Sequence, residues 1–220
     1  MISERIKKAS SFIEKDDVVV DVGCDHGYLG LLADKIPAKK IYFIDNKEEP
    51  LKKSYETANN LIKNAEAIFL LSDGLTKIVN YAEINKIFIL GMGGENIIHI
   101  LKSSLDKIDP KTLIILDAHT KIKELRKFIF NNYFRFISEI IIKENNHFYE
   151  LIAVKKTDKL VDYNELDLLF GPILRKEKDP LFIEKWSKKL KKDEEILKNK
   201  LNIQEIIDER DLIKKVLWVI

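Results

Sequence analysis

Short, continuous apolar runs alternate along the first 132 residues with segments in which apolar residues recur at helical spacing. An uninterrupted apolar run is typical of a strand buried on both faces, whereas a 3.6-residue period indicates an amphipathic helix. The runs predict strands at 17–22, 40–44, 67–71, 86–90 and 112–116. Helices are predicted over 2–14, 27–36, 49–63, 95–104 and 121–132, with a short one before residue 86. Because strands that alternate with helices pair in parallel, we expect a parallel sheet covered by helices.

The pattern changes after residue 132. Two apolar runs, 134–143 and 147–155, lie close together around Asn145-Asn146, and this spacing predicts an antiparallel hairpin. A hairpin after five βα units separates this chain from a plain dinucleotide-binding dehydrogenase. The expected fold class is therefore α/β, Rossmann-like, with a seven-stranded and mostly parallel sheet.

The last part of the chain is predicted to be helical. Asp179-Pro180 indicates a helix start, because a capping residue precedes proline at the first helical position. Apolar residues then recur at helical spacing, at Ile183, Trp186, Leu190, Leu197 and Leu201. A second amphipathic helix over about 203–218 predicts a C-terminal helical hairpin, coiled-coil-like in character. We accordingly expect two domains, residues 1–158 and residues 159–220.

The stretch from Val18 to Leu29 combines the most buried strand with a glycine-containing loop. Gly23 and Gly27 mark a turn in which the backbone can approach a ligand at the carboxyl end of a strand. A dinucleotide fingerprint would need glycine where Asp25 and Tyr28 stand. A carboxylate in this loop also disfavours a pyrophosphate. The loop instead suits S-adenosylmethionine, which carries a positive sulfonium and ammonium; strand–glycine–helix turns without a cofactor are the alternative.

Acidic residues end or closely follow the first three predicted strands: Asp21, Asp45 and Asp73. Asp45 lies 22 residues after Gly23, close to the usual spacing of the acid that binds ribose hydroxyls. Asp73 would accept a hydrogen bond from the exocyclic amine of an adenine. A solvated strand end at Asp45 and an Asp-Gly turn at Asp73-Gly74 are the alternatives.

A second glycine cluster, Gly91-Met92-Gly93-Gly94, follows the fourth predicted strand and opens a helix. Glycines there free backbone amides and leave room for a flat ring between a methyl donor and an acceptor base. A helix start with loose glycines is the alternative interpretation.

Composition limits the remaining classes of function. The 220 residues are 45% apolar and 34% charged with a net charge of +2, which indicates a globular protein with a heavily charged surface. Cys24 is the one cysteine, so we expect neither a disulfide framework nor a cysteine metal site. The low cysteine content also indicates a protein of the reducing cytoplasm. No apolar run approaches the length of a membrane span, and we expect no metal and no membrane partner.

These motifs together resemble the bacterial tRNA (adenine-22-N1)-methyltransferases, a family of class I methyltransferases. The resemblance is carried by Asp21-Val22-Gly23-Cys24-Asp25-His26-Gly27-Tyr28-Leu29, Asp45-Asn46 with Pro50-Leu51, Ser72-Asp73-Gly74-Leu75, Gly91-Met92-Gly93-Gly94, Phe148-Tyr149-Glu150 and Phe170-Gly171-Pro172. It implies S-adenosylmethionine as the cofactor and N1 of an adenine in tRNA as the methyl acceptor.

The resemblance also implies roles for individual residues. Asp25, His26 and Tyr28 are the expected catalytic residues, with Asp25 accepting from the exocyclic amine of the base. The expected cofactor-binding residues are Asp21, Gly23, Cys24, Asp25, Gly27, Asp45, Asn46, Asp73, Gly74, Gly91 and Met92. The expected substrate-binding residues are Gly93, Gly94 and Tyr149, to which the positive charge of the C-terminal segment adds Lys185, Lys188, Lys189 and Lys192.

Departures from the family pattern fall mainly on the acceptor side. Asp117-Ala118-His119 stands where the family usually has Q-P-N, Asn146-His147 stands in place of G-K, and Glu49 replaces a glycine before Pro50. The chain carries no [DNS]-P-P-[YFW] motif after the fourth strand, which disfavours methylation of an exocyclic amine.

Residues 175–192 contain eight basic and three acidic side chains, an excess that suits the phosphates of tRNA. A solvated helix face of lysines is an equal alternative. Other functions that stay open are a class I methyltransferase with another acceptor, a non-catalytic RNA-binding protein that retains the fold, and a nucleotide-dependent oxidoreductase, which Asp25 disfavours. The sequence does not determine the oligomeric state, and a monomer is expected.

Overall fold

The computed structural model describes residues 2–199 and 203–218. Within these residues, seven strands form one sheet in the order β3-β2-β1-β4-β5-β7-β6. The strands are β1 (Val18–Val22), β2 (Lys40–Asp45), β3 (Glu66–Leu71), β4 (Lys86–Gly93), β5 (Leu113–Thr120), β6 (Phe134–Glu144) and β7 (His147–Lys156). The first five pair in parallel, and β7 runs antiparallel to both β5 and β6. The predicted fold class and the closing hairpin are confirmed.

Helices connect the strands and cover both faces of the sheet. In the part of the chain before β6 they are α1 (Glu4–Ser10), α2 (Tyr28–Lys35), α3 (Glu48–Asn59), α4 (Gly94–Lys102) and α5 (Ile122–Asn131). Alternate residues of β1 pack into two different cores, with Val18, Val20 and Val22 on one face and Val19 on the other. All five residues of β1 are buried, which is why this strand has no polar face in the sequence.

The order of the strands places a crevice beside β1. After β1 the chain builds β2 and β3 on one side, then crosses to the other side to form β4 and β5. The carboxyl ends of β1 and β4 are the point at which this direction reverses. Ligands of open α/β sheets bind at such a switch point.

Several predicted boundaries differ from the structure. The first helix was expected over 2–14, but Ser3 caps it by accepting from the backbone N–H of Ile6, and it ends at Ser10. β4 extends to Gly93 instead of ending at residue 90, because Gly91 has φ of +74° and forms an irregularity after which Met92 and Gly93 pair again with β5. The short connection before β4 contains a 3-10 turn, Tyr81–Glu83.

The C-terminal part is helical, as predicted. It contains α6 (Glu165–Phe170), α7 (Leu174–Glu177), α8 (Pro180–Asn199) and α9 (Gln204–Trp218). Asp179 accepts from the backbone N–H of Phe182 at 2.7 Å and thereby caps α8. Leu201, the last apolar position of the predicted pattern, lies outside the described residues. No described helix is long and apolar enough to cross a membrane.

A buried ionic cluster joins the helical part to the sheet. Arg126 of α5 is 1% exposed and bonds Glu139 of β6 and Glu150 of β7, which are equally buried. Glu139 also accepts from the backbone N–H of Ile173, and Glu150 pairs with Lys185 of α8. The third apolar core likewise includes Ile141 of β6 among the helical residues. The division at residue 158 therefore stays a prediction, because charged and apolar contacts cross it.

Candidate active site

The loop after β1 is held in place by hydrogen bonds to β2 and α3. The backbone N–H of Gly23 donates to the carbonyl of Ile44 at 2.8 Å. The buried hydroxyl of Ser54 donates to the carbonyl of Asp25 at 2.7 Å and lies 3.0 Å from Cys24 Sγ. Asp25 itself adopts a positive φ of +35°, which is uncommon for a residue with a side chain. These bonds fix the direction in which the residues after Gly23 project.

A cleft of about 470 Å³ opens on the β2 and β3 side of this loop. Asp45 and Asp73 both line it, together with Asn46 and Gly74. One oxygen of Asp45 accepts from the backbone N–H of Lys47 at 3.0 Å, and this bond orients the carboxylate. The strand-end acids predicted to bind ribose and adenine are thus brought to one cavity.

A second cleft, of about 260 Å³, lies on the other side of Gly23, which lines both. Asp25, His26 and Tyr28 line this smaller cleft. The rings of His26 and Tyr28 stack with centroids 5.4 Å apart, and His26 Nε2 lies 3.5 Å from the Asp25 carboxylate. The three expected catalytic residues therefore form one group in the smaller cleft, with Asp25 and His26 exposed and Tyr28 half-buried.

Two groups at the floor of the site have strongly shifted pKa values. Burial raises the pKa of Asp21 to about 7, and the nearby charge of Asp45 adds to the effect. Burial raises the pKa of the Cys24 thiol to about 12. A thiol with so high a pKa is not a nucleophile at neutral pH.

The residues of the glycine cluster at the end of β4 have two roles, since some line the clefts and others allow close packing. Met92 lines the larger cleft and Gly91 the smaller one. Gly94 instead allows α4 to approach the β5–α5 connection, because a Cβ atom there would lie 2.6 Å from the carbonyl oxygen of Lys121. Gly93 lies against Thr120 in the same way. Neither Gly93 nor Gly94 lines either cleft, and their substrate-binding role stays a prediction.

The smaller cleft also contains residues that the sequence reading missed. Arg5 of α1 and His119 at the end of β5 form the wall that adjoins Gly91. Tyr149, which was expected to contact substrate, packs behind this wall with its ring 4.2 Å from the Arg5 guanidinium. The Arg5 contacts span more than 110 residues of sequence, so only the departure at 117–119 marked this region in advance.

The four lysines of the expected RNA-binding face differ in their surroundings. Lys185 pairs with buried Glu150, and Lys188 pairs with Glu184 on the same helix. Lys189 bonds Asp193 and Glu209. Lys192 is exposed. The structure therefore places three of the four in ion pairs within the protein.

Comparison with known proteins assigns the family. A family model described as tRNA (adenine(22)-N(1))-methyltransferase, TrmK, matches residues 19–219. The chain belongs to this family. The tRNA (adenine(22)-N(1))-methyltransferase of Bacillus subtilis is 27% identical over 231 residues, which cover 98% of this chain and 97% of that protein. The resemblance drawn from the sequence motifs is confirmed.

Solved TrmK-like structures share the whole architecture. The crystal structure of B. subtilis TrmK has a TM-score of 0.82 at 25% identity and covers 99% of both chains. M. capricolum TrmK in complex with S-adenosyl-homocysteine has a TM-score of 0.84 at 26% identity, over 99% of this chain and 98% of that one. A Streptococcus pneumoniae protein in complex with S-adenosyl-L-methionine has a TM-score of 0.84 at 29% identity, over 99% and 100% of the two chains.

Proposed function

We propose that this protein transfers a methyl group from S-adenosylmethionine to N1 of adenine 22 in tRNA, in keeping with the TrmK family. The observation that carries the proposal is the pair of clefts that meet at Gly23, at the switch point between β1 and β4. The larger cleft has the acids that an adenosine needs. The smaller one is lined by Asp25, His26 and Tyr28.

The charges of the site fit this methyl donor. S-adenosylmethionine supplies an activated methyl group on a cationic sulfur, and it has no phosphate. Asp45 and Asp73 offer acceptors for ribose hydroxyls and for the exocyclic amine of adenine. Asp21 and Asp25 line the smaller cleft and favour the positive end of the molecule. A pyrophosphate would meet four carboxylates here, which strongly disfavours it.

The chain's own residues need to orient the acceptor base, not to activate it. Adenine N1 has an in-plane lone pair, so no general base is required, and alignment supplies much of the rate. The stacked pair of His26 and Tyr28 offers an exposed flat surface against which a base can stack. Asp25 would accept from the exocyclic amine and stabilise the positive charge that methylation places on the ring. A paired adenine would have to be flipped out first, at a cost of about a few kcal/mol.

The helical part is the proposed RNA-holding region. Lys192 is exposed, and Lys188 and Lys189 keep part of their side chains accessible while paired. Phosphate contacts made by such lysines would weaken steeply with salt. We propose that the protein acts as a monomer on tRNA in the cytoplasm, and that residues 1–158 and 159–220 divide catalysis from RNA binding.

Methylation of a defined transcript tests the proposal. The full-length protein is incubated with S-adenosylmethionine and an unmodified tRNA transcript, and reverse transcription then maps N1-methyladenine as an arrest. The expected result is one arrest at adenine 22, which disappears when guanine replaces that base. An arrest at a different adenine would revise the position. Binding of S-adenosylmethionine without methylation of any tRNA would overturn the proposed acceptor.

A further inference from the structure

Ser54 is a fully buried serine in the middle of α3, and its side chain faces the loop that follows β1. It lines neither cleft. Serine is not a favoured residue for a helix interior, where its hydroxyl usually bonds a carbonyl of the preceding turn. The Ser54 hydroxyl has two further neighbours, and both belong to the loop that carries Asp25.

The distances identify the acceptor of this hydroxyl. Ser54 Oγ lies 2.7 Å from the carbonyl oxygen of Asp25 and 3.1 Å from that of Pro50, one turn back in the helix. A hydroxyl has one hydrogen, and the shorter distance is the usual length of an O–H···O bond, whereas the longer one exceeds the usual range. In an α-helix the Pro50 carbonyl accepts from the backbone N–H four residues on. The hydroxyl therefore donates to Asp25.

The thiol of Cys24 is the third group of this contact. Its sulfur lies 3.0 Å from Ser54 Oγ. Because burial raises the pKa of the thiol to about 12, the thiol keeps its proton at neutral pH and can donate to the hydroxyl oxygen. Thiol, hydroxyl and carbonyl then form a chain in which each donor has an acceptor. One buried residue of α3 in this way holds two successive residues of the loop.

The position of Asp25 depends on the bond from Ser54. Within residues 2–199 and 203–218, the Ser54 hydroxyl is the one donor to the Asp25 carbonyl, since no backbone N–H bonds it. The positive φ of Asp25, +35°, is uncommon for a residue with a side chain and persists only where the surroundings hold it. The carboxylate is 61% exposed and lies 3.5 Å from the exposed ring of His26. Its direction is therefore set by the main chain and not by buried side-chain contacts.

We propose that Ser54 is a positioning residue for methyl transfer, because its hydroxyl fixes the main chain at Asp25 and so directs the carboxylate towards the acceptor base. This inference rests on the proposed function and on the role of Asp25 in it. Alignment is the main requirement of the transfer, and a displacement of about 1 Å can lower a rate roughly 10²-fold. Loss of the hydroxyl should lower the rate while Asp45 and Asp73 still line the larger cleft for the adenosine.

Ser54→Ala tests this role, and Ser104→Ala is its matched control. Ser104 is also buried, its hydroxyl lies 3.0 Å from that of Tyr81, and it lines neither cleft. We expect Ser54→Ala to lower the single-turnover rate of tRNA methylation roughly 10- to 100-fold and to change the calorimetric affinity for S-adenosylmethionine less than about threefold. Ser104→Ala should leave both nearly unchanged. Urea unfolding gives the folded fraction by which each rate is normalised.

Three outcomes of this comparison would overturn the inference: an unchanged rate in Ser54→Ala, a loss of affinity as large as the loss of rate, or an equal slowing by Ser104→Ala. Ser54→Thr keeps the hydroxyl and should retain a rate within about threefold of the wild type. A folded but slow Ser54→Thr would also contradict the role, so the test does not depend on the alanine variant alone.

A double variant shows whether Ser54 acts through Asp25. If it does, Ser54→Ala combined with Asp25→Asn should methylate tRNA within about threefold of the rate of Asp25→Asn alone, because the group to be positioned is already lost. Losses that multiply would show that the two residues act independently and would refute the inference. A wild-type protein that methylates no tRNA would instead refute the proposed function itself.

Discussion

The methyl group of Met92 lies directly over Gly23, so that a Cβ atom at position 23 would collide with Met92 Cε. Gly23 begins the loop after β1 and lines both clefts, whereas Met92 lies in β4 beyond its irregularity. The contact therefore joins the two strands between which the switch point opens.

Gly23→Ala should block the binding of S-adenosylmethionine. Gly23 has φ of +76°, a conformation that costs an L-residue about 1–2 kcal/mol, and the added Cβ would also displace Met92 into the donor site. Gly91→Ala is a matched control, because Gly91 has φ of +74° but its Cβ would meet nothing closer than 3.8 Å. We expect the loss of affinity in Gly23→Ala to exceed that in Gly91→Ala by about tenfold or more, by calorimetry. Similar losses would mean that backbone strain alone decides the effect.

The pKa of about 7 at Asp21 predicts a pH dependence of both stability and cofactor binding. Since this pKa is raised above the ordinary aspartate value of 3.8, the folded apo-protein binds the proton more tightly than the unfolded chain. The stabilisation is therefore complete below about pH 4 and is lost as the pH rises through about 7. A cationic donor favours the ionised form, so its affinity should increase over the same rise.

Asp21→Asn separates these two effects. Because the variant has no charge to bury at this position, its apo-form should lose less stability than the wild type when the pH rises from roughly 5 to 8. Its affinity for S-adenosylmethionine should be low and nearly independent of pH. Thermal unfolding and calorimetry at several pH values measure both. A wild-type affinity that did not change with pH would contradict the assigned role of Asp21.

Asp25→Asn should slow methylation far more than it weakens the cofactor. The side chain lies exposed beside His26, where it can accept from an exocyclic amine, and removal of one such group typically costs about 10²–10³ in kcat. Glu95→Gln is a suitable control, because Glu95 is exposed in the first turn of α4 and lines neither cleft. Single-turnover methylation and calorimetry separate the effects. Equal losses in rate and affinity would move Asp25 to the cofactor-binding set.

The sequence predicted the parts of the site that lie next to a strand end. Asp21, Asp45 and Asp73 could be placed together because parallel strands end at one edge, and the spacing to Gly23 is local. The wall formed by Arg5 could not be predicted. The helical pattern of α1 indicates a helix but not where its polar face docks, and the partners Asp117 and Glu144 lie more than 110 residues away.

The partners of the lysines of α8 could not be predicted from the sequence either. Composition indicates a positive segment, but a side chain's partner depends on tertiary packing. Lys185 meets Glu150, a buried residue of β7, whereas Lys188 lies about one turn further along α8 and meets the neighbouring Glu184. In the sequence, both are lysines of the same predicted amphipathic helix, and nothing local distinguishes them. Their contributions to stability and to RNA binding should nevertheless differ.

Lys185→Met and Lys188→Met form a matched pair that tests this difference. Removing Lys185 deprives a buried carboxylate of a partner, although Arg126 still bonds it, and loss of one member of a buried pair typically costs about 3–5 kcal/mol. Lys188 pairs at the surface with Glu184, a contact worth about 0–1 kcal/mol. Urea unfolding should therefore show a large loss for Lys185→Met and almost none for Lys188→Met.

The same pair distinguishes a structural lysine from an RNA-binding one. If Lys188 contacts phosphate, Lys188→Met should weaken tRNA binding at low salt and reduce the slope of log affinity against log salt by about one unit, with unchanged stability. Lys185→Met should instead lower the unfolding free energy, and its effect on tRNA should follow the fraction of protein that remains folded. Equal stability losses in both variants would mean that Glu184 and Glu150 provide equivalent environments. An unchanged salt slope in Lys188→Met would identify that residue as part of a solvated helix face.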